Sequence, residues 1–216
     1  MDYKAVIFDF DYTLGDCTNG IVLSVNYALD KLGYSEHDVP EIKKTVGLSL
    51  KETFFKLSGD NDFEKSDRFC DYFKEKSDVV MVDNTVLLPG TLEVFKFLRD
   101  NDVKSGIVTT KFHYRIDQIL NKFHVEDYVD MIIGAEDVKI EKPNPEGLLY
   151  MIKKMEIDNE EALYIGDSLV DAETAERANV DFIGVTTGST QEKEFEKYSN
   201  LKIISKLNDL IMINEH

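Results

Sequence analysis

Four short apolar runs after residue 83 alternate with stretches patterned as helices, and this alternation constrains the fold more than any other feature of the chain. The runs are VKSGIVTT (103–110), DMIIGA (130–135), ALYIGD (162–167) and VDFIGV (180–185). Around them lie TLEVFKFLRD, YRIDQILNKF, PEGLLYMIKKM and DAETAERAN, each with helical spacing. A strand that is apolar on both faces must be covered on both, and helices between such strands can do this only as crossovers of a parallel sheet. The predicted class is therefore α/β: a Rossmann-like parallel sheet with helices on both faces. Residues 4–9 add a further strand of the same kind. Residues 16–82 break the rhythm, because IVLSVNYALDKLG, EIKKTVG, LKETFFKLSG and FEKSDRFCDYFKEKSD all read as helix. The expected organisation is an α/β core of residues 1–15 and 83–216, with an α-helical cap domain, 16–82, inserted after the first strand.

A chain of 216 residues with 43% hydrophobic content can bury a sizeable core. Its net charge of −17 argues against nucleic acid or an anionic membrane as partner, since a phosphate surface would be repelled over most of the protein. An anionic ligand must meet a local exception. No apolar run approaches the roughly 20 residues of a membrane span, and MDYKAVIFDF lacks the ordered parts of a signal peptide, so the expectation is a cytoplasmic protein. Cys17 and Cys70 are too few for a disulfide framework and read as two reduced thiols. Nearby carboxylates would raise the Cys17 thiol pKa and make it less reactive. Nothing in the sequence sets an oligomeric state.

The first strand runs into acids: AVIFDFDYTLGD places Asp9, Asp11 and Asp16 within eight residues. On an extended chain Asp9 and Asp11 project to one face, so they can share a site only with a proton or a positive charge between them. Ligands of an open parallel sheet bind beyond the carboxyl ends of its strands, and polar residues collect at four such ends. Asp9 and Asp11 follow the first, Thr109 and Thr110 the second; Lys142 lies in the loop after GAEDV; Asp167 ends LYIGD, with Asp171 one helical turn on. Singly, each has an ordinary structural role as strand residue, helix cap, solvent lysine or first-turn carboxylate. Together they supply a carboxylate nucleophile, a second carboxylate for proton transfer, oxygen ligands for Mg²⁺, and a hydroxyl and an ammonium for phosphate oxygens. Asp9, the backbone carbonyl of Asp11 and Asp167 would suffice as protein ligands of Mg²⁺.

The stretches DFDYTLGD, IVTTK, EKPNPE and GDSLVD, in this order, resemble the four motifs of the haloacid dehalogenase superfamily, whose members mostly hydrolyse phosphate esters through an aspartyl-phosphate. The resemblance covers nearly the whole chain, because the helical insertion is similar to the family's small α-helical cap. It implies Asp9 as nucleophile and metal ligand, and Asp11 as the acid that protonates the leaving oxygen and the base that activates water. It further implies Thr109, Thr110 and Lys142 at the phosphate, Asp167 on Mg²⁺, and Asp171 supporting Lys142 or a metal-bound water. Thr13 would fix the first loop. Tyr12 departs from the glycine common at that position, so the loop must take a conformation that a non-glycine residue tolerates.

YIGDSLVDAETAERANV and TVGLSLKETF look most like phosphoglycolate phosphatase and its relatives, implying a small phosphorylated metabolite as substrate. A phosphomutase similar to β-phosphoglucomutase is the nearest alternative, but there the fourth motif has a Glu-Asp pair where this chain has Gly166 and Asp167. A dehalogenase would leave the paired aspartates without a task. A phosphoryl-accepting regulatory domain is the alternative from another class; its phosphorylated Asp would end an internal strand, and it would carry no helical insertion. Lys43, Lys44 and Lys51 form a local positive exception that could attract a second anionic group, although each reads more simply as a surface lysine.

Overall fold

The computed structural model describes residues 3–213. In chain order the elements are β1 (Ala5–Phe8), β2 (Gly15–Asp16), α1 (Thr18–Lys31), α2 (Val39–Lys43), α3 (Leu50–Ser58), α4 (Phe63–Val80) and β3 (Val86–Leu87). There follow α5 (Thr91–Asp100), β4 (Lys104–Val108), α6 (His113–Phe123), β5 (Met131–Ile133), α7 (Glu146–Met155) and β6 (Ala162–Gly166). The chain continues through α8 (Leu169–Ala178), β7 (Asp181–Val185), α9 (Glu192–Phe195), β8 (Lys202–Ile204) and α10 (Asp209–Ile213). It divides into two compact units, one of residues 1–16 and 87–216 and the other of 17–86.

The first unit is built on a six-stranded sheet in the order β5-β4-β1-β6-β7-β8, every pair parallel. Each strand expected from the sequence is present; β8 was not anticipated, because KII is too short to show a pattern. The central strands are buried on both faces, as a doubly covered parallel sheet requires: β1 is wholly buried, and so is β6. One layer of the core packs Ile7, Tyr164 and Phe182 from the sheet with Leu148 and Met151 of α7 and Ala172 and Ala175 of α8. The chain leaves β1 for β4 on one side and later places β6 on the other, so β1 is the topological switch point. A crevice for ligands opens at the carboxyl end of such a strand.

The second unit is helical. α2 and α4 start on aspartates that accept backbone N–H groups of the first turn: Asp38 from Glu41, and Asp62 from Glu64 and Lys65. Ser49 and Glu52 form a reciprocal capping box on α3, which stops at Gly59 in the left-handed region, φ 67°. The apolar faces of α3 and α4 meet through aromatic rings, with Phe54 5.6 Å from both Tyr34 and Phe69. The charge run DNDFEKSDR is the lead-in and solvated start of α4, where Lys65 bridges Asp60 (2.8 Å) and the Tyr34 hydroxyl (3.0 Å). Both cysteines are unbridged.

Candidate active site

The acids follow β1 directly, and both act on one site: beside burial, the Asp11 charge raises the Asp9 carboxyl, and both charges raise that of Asp167. Asp9 donates its N–H to the Ile165 carbonyl (2.8 Å), continuing the ladder by one residue. The chain then turns at Tyr12, whose φ of 60° is left-handed. Within that site Asp9 and Asp11 meet different cations. Asp9 Oδ1 accepts from Lys142 Nζ at 2.8 Å, and Asp11 Oδ2 pairs with Lys111 Nζ at 3.0 Å. Two ammonium groups, rather than one shared charge, relieve the repulsion within the pair.

Lys142 reaches the site from the loop before α7 and joins two acids. Its Nζ donates to Asp9, to Asp171 Oδ1 (2.5 Å) and to the Tyr164 hydroxyl (3.0 Å). Asp171 is fully engaged: Oδ1 takes Lys142 and Tyr164, and Oδ2 takes the N–H (3.1 Å) and the hydroxyl (2.5 Å) of Ser168. Ser168 is the N-cap of α8 and Asp171 its third residue, so the same carboxylate caps a helix and holds a lysine. Gly166 allows this: a Cβ there would lie 2.4 Å from Asp171 Cβ, leaving no room for a glutamate with Asp171 in this place.

Oxygens of Asp9, Asp167 and Asp171 lie within 4.8 Å of one another, all three residues buried. With all three ionised, the carboxylates outnumber the single Lys142 ammonium by two charges, an excess that only protons or a cation can meet. Burial raises the Asp9 carboxyl to about 7, with the Lys142 charge opposing and the Asp171 charge adding. Asp167 is pushed well above the usual carboxylate range by burial and then by Asp171 and Asp9. Lys142 is held well above its usual value; burial alone would lower it, but Asp171 and Asp9 outweigh that. An all-oxygen set with an excess of two negative charges fits a hard divalent cation. Because Asp171 is saturated by hydrogen bonds, Asp9 and Asp167 are the carboxylates left to bind one.

Thr109 is buried at the end of β4, beside β1, and its Oγ1 accepts the Lys111 N–H at 3.2 Å. Thr110 is half-buried and adjoins it. Thr13 ties its loop through its N–H to the Phe10 carbonyl (3.2 Å), while its buried hydroxyl has no partner among the described residues; the fixing is done by backbone. Sequence reasoning missed Lys111, although it stands in the IVTTK stretch, and Tyr164, which was read as an apolar strand residue. It also missed the run Thr186–Gly188 after β7. The Thr187 hydroxyl donates to the Tyr12 carbonyl, and a Cβ on Gly188 would lie 1.8 Å from Asp167 Oδ2.

The sequence profile described as haloacid dehalogenase-like hydrolase matches residues 6–185. The chain is 27% identical over 210 residues to pyrophosphatase PpaX of Bacillus pumilus, covering 97% of this chain and 95% of that protein. It is 24% identical over 218 residues to phosphoglycolate phosphatase of Pseudomonas putida, covering 96% and 78%. A solved structure from Bacteroides fragilis described as a haloacid dehalogenase-like hydrolase is similar with a TM-score of 0.94 and 42% identity, over 96% of this chain and 99% of that one. Another from Clostridium acetobutylicum, described as a predicted phosphatase, gives 0.91 and 28%, over 99% of each.

Proposed function

The chain belongs to the haloacid dehalogenase-like hydrolases and is a phosphatase of that family, and from this premise we propose how its own residues act. Asp9 is the nucleophile. Its Oδ attacks phosphorus, the P–O bond to the leaving group breaks, and Asp11 donates the proton that the leaving oxygen takes up. Water then attacks the phosphorus of the aspartyl-phosphate, Asp11 accepts a proton from it, and phosphate leaves with Asp9 regenerated. Thr109, Thr110 and Lys142 bind the phosphate oxygens, and Asp171 with Tyr164 keeps the Lys142 ammonium aimed at Asp9. The observation that carries this reading is the buried contact of Lys142 with Asp9, in a cluster with two negative charges to spare.

Asp9, the Asp11 backbone carbonyl and Asp167 would hold Mg²⁺. When bound, it supplies charge neutralisation that lets an anionic carboxylate approach an anionic phosphate. The substrate is a small phosphate monoester or anhydride. Lys111 favours one whose leaving group is itself anionic, because its ammonium lies 3.0 Å from the Asp11 carboxylate that protonates the departing oxygen. Phosphoglycolate and pyrophosphate, the substrates in the names of the two relatives, would both expel an anionic group, glycolate or phosphate.

Turnover of a panel of phosphate monoesters and pyrophosphate with Mg²⁺, with Asp9→Asn as background control, tests this reading. Release of phosphate from phosphoglycolate or pyrophosphate is expected. Accumulation of glucose 6-phosphate from glucose 1-phosphate, stimulated by a bisphosphate, would establish a mutase instead. The crowding at Gly166 argues against that outcome.

A further inference from the structure

Tyr12 occupies a backbone conformation that bulky residues avoid, and it does so one residue after a proposed cation ligand. The peptide joining Asp11 to Tyr12 is planar, so the direction of the Asp11 carbonyl is fixed by whatever fixes the Tyr12 N–H. That N–H donates to the Gly15 carbonyl at 2.7 Å. On the other side of the same residue, the Tyr12 carbonyl accepts from the Thr187 hydroxyl. The left-handed turn is thus held at both of its peptide groups, which is what a strained residue needs in order to persist. The next residue of the same run, Gly188, lies so close to Asp167 that a Cβ would fall 1.8 Å from Oδ2 and 2.8 Å from Cγ. Its bare backbone is a wall against which the carboxylate rests. Thr186, in turn, is fastened to the sheet edge, its N–H donating to Ile204 at 3.0 Å.

We propose that Thr187 and Gly188 are positioning residues for the divalent cation: one loop after β7 sets the direction of the Asp11 carbonyl through Tyr12 and confines the carboxylate of Asp167. The two ligands come from separate strands, and this run reaches both of them. Thr187 compensates for the tyrosine that stands where a glycine would adopt φ 60° unaided. The inference rests on reading the Asp11 carbonyl and Asp167 as cation ligands.

The test is binding of Mg²⁺ to the metal-stripped full chain by calorimetry, and of Mn²⁺ by electron paramagnetic resonance, with melting temperatures recorded alongside. Thr187→Val should weaken Mg²⁺ binding about tenfold and Gly188→Ala by about 10- to 100-fold, the range found when groups that orient metal ligands are removed. Thr187→Ser keeps the hydroxyl and should bind as wild type. In a Tyr12→Gly background, Thr187→Val should cost much less, because glycine needs no hydrogen bond to hold the turn. Wild-type affinity in Thr187→Val, or an equal loss with and without Tyr12, would overturn the role of Thr187. A Gly188→Ala chain that folds and binds normally would overturn that of Gly188. If wild type binds neither ion, or Asp167→Asn binds as tightly as wild type, the ligand reading itself falls and takes the positioning role with it.

Discussion

The two units place their polar groups in opposite ways. Among the described residues every buried charged one belongs to the first unit: Asp9, Asp11, Arg115, Lys142, Asp167 and Asp171. Among the described residues of the helical unit the buried polar side chains are hydroxyls, and most of them serve their own or an adjacent turn. Ser24 donates to the Gly20 carbonyl, Thr45 to Ile42, Ser66 to Phe63 and Ser77 to Lys74. A hydroxyl bonded to a carbonyl of its own helix is satisfied locally at small cost. Buried carboxylates are costly unless paired, so a cluster that holds three around one ammonium is maintained for what it binds rather than for stability. The contrast separates a unit that carries chemistry from one whose described interior is helix packing.

The largest effect expected from breaking this contrast is in Asp9→Asn. An amide cannot attack phosphorus, so turnover should fall by at least about 10⁴-fold. The metal-free protein should melt no lower than wild type, because a buried acid whose pKa burial has raised gives way to a neutral isostere. Steady-state phosphate release and thermal melts check both halves. Near wild-type turnover would remove Asp9 as nucleophile.

The counterpart in the helical unit is Phe54→Ala. Phe54 is fully buried and lies 5.6 Å, ring to ring, from both Tyr34 and Phe69. Its truncation should cost about 3–5 kcal/mol, read as a lower denaturation midpoint, with Mg²⁺ affinity unchanged. A large loss of Mg²⁺ affinity in the folded variant would show that the division of labour is false.

The parallel sheet and the motif residues were legible in the sequence because each rests on a short local pattern. ALYIG is a buried strand by composition alone, and Asp167 follows it directly. What stayed hidden depends on neighbours distant in the chain. Tyr164 reads as one more apolar strand residue, and only the fold places its hydroxyl 3.0 Å from Lys142, 22 positions away. Thr187 is 175 positions from Tyr12, and TTGST looks like any polar loop. That Asp9 and Asp11 have separate lysine partners was equally hidden, since Lys142 and Lys111 come from loops far along the chain. At the start of α7 Pro145 takes the N-cap place, and Asn144, one residue further out, accepts the Glu146 N–H.

Lys111→Met sharpens the comparison within the first unit, since it keeps length and removes charge. If the ammonium meets an anionic leaving group, kcat/KM for phosphoglycolate should fall about 10- to 100-fold, the worth of one charged hydrogen bond. An ester with a neutral leaving group, such as ethyl phosphate, should change far less. Equal losses on both would assign Lys111 to Asp11 alone.

A smaller effect links the acid cluster to pH. The Asp9 carboxyl is raised to about 7 against an ordinary value near 3.8, so the folded, metal-free chain holds a proton that the unfolded chain releases. Stability must then fall as pH rises between those two values. Asp167 is shifted in the same direction. A divalent cation competes with these protons, so the rise in melting temperature produced by Mg²⁺ over EDTA should grow from pH 5 to pH 8. An increment that is flat or declines over that range would contradict the placement of the cation beside Asp9.

The smallest effect is expected for Lys51→Ala, which places an ion pair of the helical unit against the one in the site. Lys51 Nζ lies 2.6 Å from Asp67 and Lys142 Nζ 2.8 Å from Asp9, so distance does not distinguish them. Exposure does: the side chains of the first pair are 50% and 62% exposed, those of the second 4% and 5%. In water the first pair is screened and must order two mobile side chains, which leaves about 0–1 kcal/mol. Removing Lys142 from the second strands buried carboxylates with no ammonium among them, which costs about 3–5 kcal/mol. Lys51→Ala should therefore leave the denaturation midpoint within about 0.5 kcal/mol of wild type, while Lys142→Ala lowers it severalfold further and abolishes turnover. Lys51 also tests the positive exception read from the sequence around residues 43–51. A ligand anion drawn to that lysine would raise KM for phosphoglycolate in Lys51→Ala with kcat unchanged, whereas a surface pair with Asp67 predicts no change in either.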